Sequence, residues 1–217
     1  MSPFPKEPGP PDYHDYLCSP AELKASYNRC RALGVPVELK RPRRILPETA
    51  TAHQPNSSLV SLVEQVITRG GPQSGYIYIL CNPELVALKI FARPEILPII
   101  EEAGIKPGTL FTEGSCGTNA LALARELDRL VAVRGEQHYC ALFKDWWCVA
   151  GPIRDPSGTA LGYLDISLHA EEELGLAGAH LKIILAVIER ELISLNLEQL
   201  SDEVNSLLQA LSNQGDA

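Results

Sequence analysis

The 217-residue chain has few basic residues and no long apolar run, and each deficit excludes a class of function. Its 19 lysines and arginines against 27 acidic residues give a formal net charge of −8, which argues against broad contact with nucleic-acid backbones. Its apolar runs are too short to span a bilayer. The N-terminal region has prolines and acids where a signal peptide needs a basic start and an apolar run. We therefore expect a cytoplasmic protein that contacts neither membrane nor nucleic acid.

The cysteines lack the spacing of a zinc ribbon or a disulfide framework, since the sequence contains no CxxC pair. In a cytosolic protein they are reduced by default. The six cysteines are Cys18, Cys30, Cys81, Cys116, Cys140 and Cys148.

The chain is predicted to form one main core with helical appendages at both ends. Residues 1–18 are rich in proline and poor in aliphatic side chains, so we expect a disordered lead-in. Residues 19–55 are predicted to form an N-terminal helix, capped by Ser19, and a connector. Residues 56–175 form the expected core, and 176–217 a C-terminal signalling or dimerisation helix with its tail.

The core segments alternate between strand and helix character, which predicts an α+β fold. Short turns around Pro83 and Pro156 favour antiparallel hairpins. The predicted strands are 76–81, 86–91, 130–134, 147–153 and 160–167.

Side-chain alternation along two strands predicts one aliphatic sheet face and one aromatic or polar face. We expect helices 56–69 and 174–195 to cover the aliphatic face. Helices near 94–103 and 117–127 would cover the other face and leave a ligand-sized gap beneath them. The aliphatic face takes Ile77, Ile79, Leu164 and Ile166, and the other takes Tyr76, Tyr78, Tyr163, Asp165 and Ser167.

The C-terminal helix, from about Leu174 to Leu211, shows steps of four and three between apolar residues, which favours pairing with a second chain. Its alternative is a single core helix with a frayed tail. The predicted seam contains Leu181, Leu185, Ile188, Leu192 and Leu195, and after Gln199 it resumes with Val204, Leu207 and Leu211.

A candidate site begins with Gly114 to Ala120, a loop that leads into a helix. Its free amides could hold an anion or a polarised oxygen. Alternatively, Ser115, Thr118 or Asn119 simply caps the helix.

Three polar residues at alternate positions, Glu136, His138 and Cys140, are expected to point the same way. With Cys148 and Cys116 they have the ligand types for a soft metal or the pair for a Cys–His nucleophile. Alternatively, the cysteines are small buried hydrophobes. Only one of the adjacent tryptophans at 146 and 147 can line a pocket, because neighbours on a strand face opposite ways. The predicted ligand-binding residues are Phe111, Cys116, Asn119, His138, Tyr139, Cys140, Trp147 and Tyr163.

Four short motifs occur in order along the core: Gly117-Thr118-Asn119-Ala120, Glu136-Gln137-His138-Tyr139, Trp147-Cys148 and Pro152-Ile153. Together they resemble the GAF sensory domain of sigma-54-dependent transcriptional activators of the acetoin-regulator type. Residues 26–35 and 188–192 extend the resemblance over about 19–198.

The resemblance implies a GAF-like antiparallel sheet flanked by helices, and a small-molecule effector. We expect a non-catalytic sensor whose effector is a small organic molecule rather than a metal or tetrapyrrole. The resemblance also implies a homodimeric signalling helix and a downstream ATPase and DNA-binding module. The sequence contains no G-x-x-x-x-G-K-[ST] phosphate loop. We therefore expect the sensory part of a longer regulator, or a stand-alone sensor. Two alternatives are a cysteine-based redox enzyme, similar to methionine sulfoxide reductases of this fold, and a metal-binding sensor.

Overall fold

The computed structural model describes residues 16–45, 57–70, 75–169 and 173–215. The disorder expected for 1–18 falls almost entirely outside these ranges. The helices are α1 (Pro20–Ala32), α2 (Ser57–Gly70), α3 (Leu97–Glu102), α4 (Glu113–Cys116), α5 (Ala120–Leu127) and α6 (Leu174–Gly215). The strands are β1 (Ile77–Cys81), β2 (Ala87–Phe91), β3 (Val131–Arg134), β4 (Trp147–Arg154) and β5 (Ala160–Leu168).

The five strands form one antiparallel sheet in the order β2-β1-β5-β4-β3. The predicted α+β class, the GAF-like arrangement and both hairpins are confirmed, and each strand begins and ends within one residue of its predicted bounds. The chain enters through α1, where Ser19 and Glu22 form a reciprocal capping box, as the Ser-Pro-Ala-Glu pattern predicts.

The composition of the two sheet faces differs from the prediction. Asp165 of β5 lies opposite Ile79 of β1, and Ile166 lies opposite Tyr78. The face beneath α3 and α5 therefore combines the β1 isoleucines with the polar residues of β5. The β1 tyrosines lie with Leu164 and Ile166 under α2 and α6. The alternation within each strand was predicted correctly. The register with which two strands pair was not, because it depends on contacts between distant parts of the chain and cannot be read from alternation within one strand.

The predicted pairing seam of α6 was wrong over its first half. Leu181, Leu185 and Ile188 are buried against the sheet of their own chain, so they cannot contact a partner. An exposed apolar stripe runs along the second half of α6. Its members, each 46% to 64% exposed, are Ile193, Leu197, Leu200, Val204 and Leu207. Val204 and Leu207 belong to the predicted seam, and the seam's Leu195 is 51% exposed as well.

Among the described residues, no helix combines the length and the apolar character that crossing a membrane requires.

Candidate functional site

A cavity of about 50 Å³ lies between the sheet and the layer formed by α3 and α5. This is the gap that the two-layer prediction anticipated. One water molecule needs roughly 10–15 Å³, so the cavity has room for about four water-sized groups. Its wall is mainly apolar: Ile77, Ile79, Ile100, Ala103, Ile105, Phe111, Ala120, Leu121, Phe143 and Trp146. The remaining lining residues are Asn119, His138, Cys148, Asp165 and Ser167.

His138 is 1% exposed and is held in place by Gly135. The Gly135 carbonyl accepts hydrogen bonds from the backbone N–H of His138 at 3.0 Å and from its Nδ1 at 3.1 Å. Burial lowers the pKa of His138 to about 4, so the imidazole is neutral at pH 7. No described residue supplies a hydrogen-bond partner for its buried Nε2. A buried polar atom in that state is costly unless a ligand or water satisfies it.

The polar part of the sheet wall is a chain of three side chains. Ser167 Oγ lies 2.6 Å from Asp165 Oδ2 and donates to it, and Cys148 Sγ lies 3.2 Å from Ser167 Oγ. Because the serine hydroxyl has one proton, the thiol donates to the serine. Burial raises the pKa of Asp165 to about 7, although the hydrogen bond from Ser167 opposes that rise.

Asn119 lines the cavity, but its side chain forms hydrogen bonds with backbone groups. Its Nδ2 donates to the carbonyls of Phe111 at 3.0 Å and Gly117 at 2.8 Å. Its Oδ1 accepts from the N–H of Ala122 at 3.0 Å and thereby caps α5. The capping alternative is therefore the one observed, and Asn119 shapes the loop above the cavity.

Gly117 lets two loops of the site approach each other. Its φ of 69° is a left-handed conformation, and a Cβ there would lie 2.9 Å from both Cys140 Sγ and Tyr139 Cβ. A side chain at this position would thus strain the backbone and collide with the His138 loop. The Gly117-Thr118-Asn119 and His138-Tyr139 motifs are adjacent in space for this reason.

Helix α1 closes over the same loops through a partly buried charge network. Arg29 donates from Nε and Nη2 to the two carboxylate oxygens of Glu113, at 2.7 and 2.8 Å. Ser26 Oγ donates to Glu113 at 2.5 Å and lies 2.7 Å from Thr118 Oγ1. Tyr27 donates to the carbonyl of Gln137. The predicted N-terminal appendage is therefore part of the site's framework.

Of the eight predicted ligand-binding residues, the structure brings Phe111, Asn119 and His138 to the cavity wall. Cys116 and Cys140 instead donate to the carbonyls of Leu110 and Pro36. The other three also lie outside the lining. Tyr139 packs edge-on against Tyr27, Tyr163 lies elsewhere in the core beneath α5, and Trp147 lines a surface cleft.

Trp146 takes the cavity position predicted for Trp147. The two tryptophans do lie on different surfaces, but alternation along the chain does not decide which of them faces inward. The expected alignment of Glu136, His138 and Cys140 is also wrong, because Gly135–Gln137 forms a 3-10 turn rather than extended chain. Glu136 consequently points outward and pairs with Lys144 at 2.7 Å.

The thiols are poor nucleophiles in this environment. Burial raises the pKa of Cys140 to about 11 and raises those of Cys116 and Cys148 above the ordinary thiol value. The thiolate is the reactive form, so these sites disfavour it. In the part of the chain that the structure describes, no group of three or more His, Cys, Asp or Glu side chains is placed to hold a metal ion.

Asp165 and Ser167 were missing from the predicted site, although the alternation of β5 had placed them on the polar face. Their signal was an aspartate and a serine within an otherwise apolar strand. Buried aspartates are rare unless they are paired or functional.

A second cleft of about 280 Å³ adjoins the cavity. It shares Ile77 and Trp146 with the cavity wall and extends to His169 and Glu173, beside the start of α6. The Trp146 ring packs on the His169 ring with centroids 3.7 Å apart.

Comparison with known proteins identifies transcriptional activators among the relatives of this chain. The chain is 28% identical over 188 residues to the acetoin dehydrogenase operon transcriptional activator AcoR of Bacillus subtilis, covering 82% of this chain and 30% of that protein. The chain is homologous to transcriptional activators of the acetoin-regulator type. A signal-transduction and transcriptional-control protein of Clostridium beijerinckii is 25% identical over 209 residues, covering 89% of this chain and 33% of that one. No protein-family model matches.

The fold has a close counterpart in the crystal structure of the Escherichia coli DhaR(N)–DhaL complex. The TM-score is 0.81 at 21% identity, covering 89% of this chain and 67% of the other. This chain spans about a third of the length of the activators that it matches. It therefore corresponds to one part of these proteins, and the relatives with stated roles are transcriptional regulators.

Proposed function

We propose that this domain senses a small organic effector in the cavity beneath α3 and α5 and reports its presence through α6. In a longer activator, α6 would pass that signal to an ATPase and DNA-binding module in the cytoplasm, and the domain itself would not touch DNA. The observation that carries the proposal is the mainly apolar cavity with an unsatisfied Nε2 on His138. A mostly apolar cavity with a few convergent polar groups is typical of small-molecule sites.

The signal would reach α6 from residues in the cavity wall. Asp165 and Ser167 lie on β5, the last strand before α6. The outer cleft reaches His169 and Glu173 and shares Ile77 and Trp146 with the cavity, so a ligand would enter past Trp146. A ligand shifts a conformational equilibrium only if it binds one state more tightly. Movement of Trp146 against His169 would link occupancy of the cavity to the first turn of α6.

The exposed stripe of α6 is the surface through which two copies would pair. Its residues follow one heptad register from Leu176 through Ile183 and Ile193 to Leu207, with Arg190 as the polar interruption. In that register Leu197 and Val204 occupy a positions, and Leu200 and Leu207 occupy d positions. A β-branched residue at a with leucine at d favours two strands, and Val204 with Leu200 and Leu207 follows that pattern, whereas Leu197 at a does not.

Charge placement on α6 agrees with self-pairing. The acidic residues Glu198 and Asp202 fall at b and f positions, away from the seam, while the e positions hold Ser194 and Ser201. Only Glu203 places a charge at a flanking g position within the register from Ile193 to Leu207. A second copy of α6 therefore meets little like-charge repulsion along this stripe.

The test is calorimetry against small ketones, diols and phenols, with the pairing of α6 followed by spin-label distances between two copies labelled at Ser201. We expect saturable binding of at least one compound and a change in the label distance on binding. Ala103 lines the cavity, so Ala103→Leu should abolish binding, whereas Ala32→Leu on the exposed face of α1 should not. Binding that survives Ala103→Leu, or the absence of any ligand-dependent change in α6, would contradict the proposal.

A further inference from the structure

The tautomer of His138 determines which kind of hydrogen-bonding group the cavity accepts. The Gly135 carbonyl lies 3.1 Å from Nδ1, and a carbonyl can only accept. Nδ1 therefore carries the single proton of the neutral ring. Nε2 is left as a lone-pair acceptor, and it is the ring nitrogen without a partner among the described residues.

An acceptor at this position selects for a donor. A hydroxyl group can donate to Nε2, whereas a ketone oxygen would place two lone pairs against each other. A site built around a buried polar group rejects an analogue that leaves the group unpaired. The cavity should thus distinguish an alcohol from the ketone of the same size and shape.

The rest of the wall favours an uncharged, compact molecule. Ile77, Ile79 and Phe111 supply apolar contacts, and no lysine or arginine lines the cavity. Asp165 is the one acidic residue there and already accepts the Ser167 hydroxyl at 2.6 Å. An anion would meet that carboxylate without a compensating cation. A cation would lose its hydration among apolar side chains.

We propose that the cavity selects a small uncharged alcohol whose hydroxyl donates to Nε2 of His138, in preference to the corresponding ketone or amine. This inference rests on the proposed sensing function and narrows it to one class of effector. The apolar body of the alcohol lies against the isoleucines of β1 and the ring of Phe111.

Imidazole ¹⁵N spectroscopy of the intact protein reads the tautomer directly. We expect His138 to show a protonated Nδ1 and an unprotonated Nε2 at pH 7. The Nε2 signal should then shift on addition of 2-propanol, as an acceptor gains a hydrogen bond. A proton on Nε2 would overturn the inference, since the site would then favour ketones.

Affinities for a matched set, 2-propanol, acetone and isopropylamine, test the selection itself. We expect the alcohol to bind roughly five- to twentyfold more tightly than acetone, as the loss of one buried hydrogen bond implies. His138→Phe keeps a ring in place but removes the acceptor, so the preference should fall to about one. His180→Phe is the matched control, because His180 lies outside the cavity and contacts Tyr78, and it should keep the preference.

The outcomes separate the inference from the sensing proposal. Saturable binding of acetone or the amine as tightly as the alcohol would overturn the alcohol preference and leave sensing intact. A preference retained in His138→Phe would equally remove His138 from recognition. Failure of all three compounds to bind would contradict the alcohol preference and the small-molecule cavity together.

Discussion

Ser167 donates its hydroxyl to Oδ2 of Asp165 at 2.6 Å, within the wall of the cavity. The two residues lie two positions apart on the same face of β5, so the strand itself sets their approach. This hydrogen bond favours the ionised carboxyl, and burial favours the neutral one. Burial is the stronger influence, and it raises the pKa of Asp165 to about 7.

Two buried groups should make the free energy of unfolding depend on pH in opposite directions. The pKa of His138 falls from 6.5 to about 4 on folding, so its contribution is complete above pH 6.5 and is lost as the pH falls toward 4. The pKa of Asp165 rises from 3.8 to about 7, so its contribution is complete below pH 3.8 and is lost as the pH rises through 7. Between pH 4 and 6.5 the two slopes oppose each other.

Replacing Asp165 should leave His138 as the main source of the pH dependence of stability between pH 4 and 6.5. For Asp165→Asn we expect the free energy of unfolding to rise by roughly 3 kcal/mol from pH 4 to 6.5, relative to the wild type, and then to level off. Urea denaturation at a series of pH values measures this. Asp145→Asn, an exposed control, should leave the profile unchanged. A pH profile for Asp165→Asn that parallels the wild-type profile would show that the pKa of Asp165 is not raised in the folded protein.

The seam of α6 predicts an interface that a double substitution removes. Leu200→Lys with Val204→Lys places charges at adjacent a and d positions, so we expect monomers in light scattering. Glu198→Lys with Asp202→Lys makes the same number of substitutions off the seam and should leave dimers. Dimers that survive the first pair would place the interface elsewhere. Ile188→Lys should instead unfold the domain, since Ile188 is buried in its own core.

The Arg29–Glu113 pair should stabilise the domain because it is partly buried and bidentate. Glu113→Gln removes the charge and one carboxylate oxygen from Arg29 and Ser26, so we expect a loss of about 1–3 kcal/mol in the free energy of unfolding. Glu136→Gln breaks the exposed pair with Lys144 and should cause no measurable change. If chemical denaturation gives equal changes in the free energy of unfolding for the two substitutions, the hydrogen bonds of Glu113 do not stabilise the packing of α1.

Three cysteine thiols should react slowly with a thiol reagent while the domain is folded: those of Cys116 and Cys140, which are buried, and that of Cys148, which is half-buried. Burial raises the pKa of Cys116, Cys140 and Cys148, so little thiolate forms at pH 7. We expect all three to be modified at least a hundredfold more slowly in buffer than in denaturant, as followed by mass spectrometry. One rapidly modified cysteine among them would revive the redox alternative.

Much of the framework could be predicted from local sequence patterns. Ser19 and Glu22 mark the start of α1, and alternation within β5 correctly separates Asp165 and Ser167 from Leu164 and Ile166. These features depend on neighbours within a few residues, and such interactions are encoded directly in the order of side chains. The family resemblance, in turn, identified the fold, and of the predicted ligand-binding residues Phe111, Asn119 and His138 line the cavity.

By itself, the sequence determined the five strands, the two hairpins and the face on which each side chain of a strand lies. Only the tertiary structure decided which faces combine: the register of β1 on β5 brings Ile79 beside Asp165, and a 3-10 turn turns Glu136 away from His138. It also decided which stripe of α6 is covered by the sheet and which is left exposed. The physical reason is that register and burial depend on contacts between residues far apart in the chain, and a periodic pattern does not say which partner covers it.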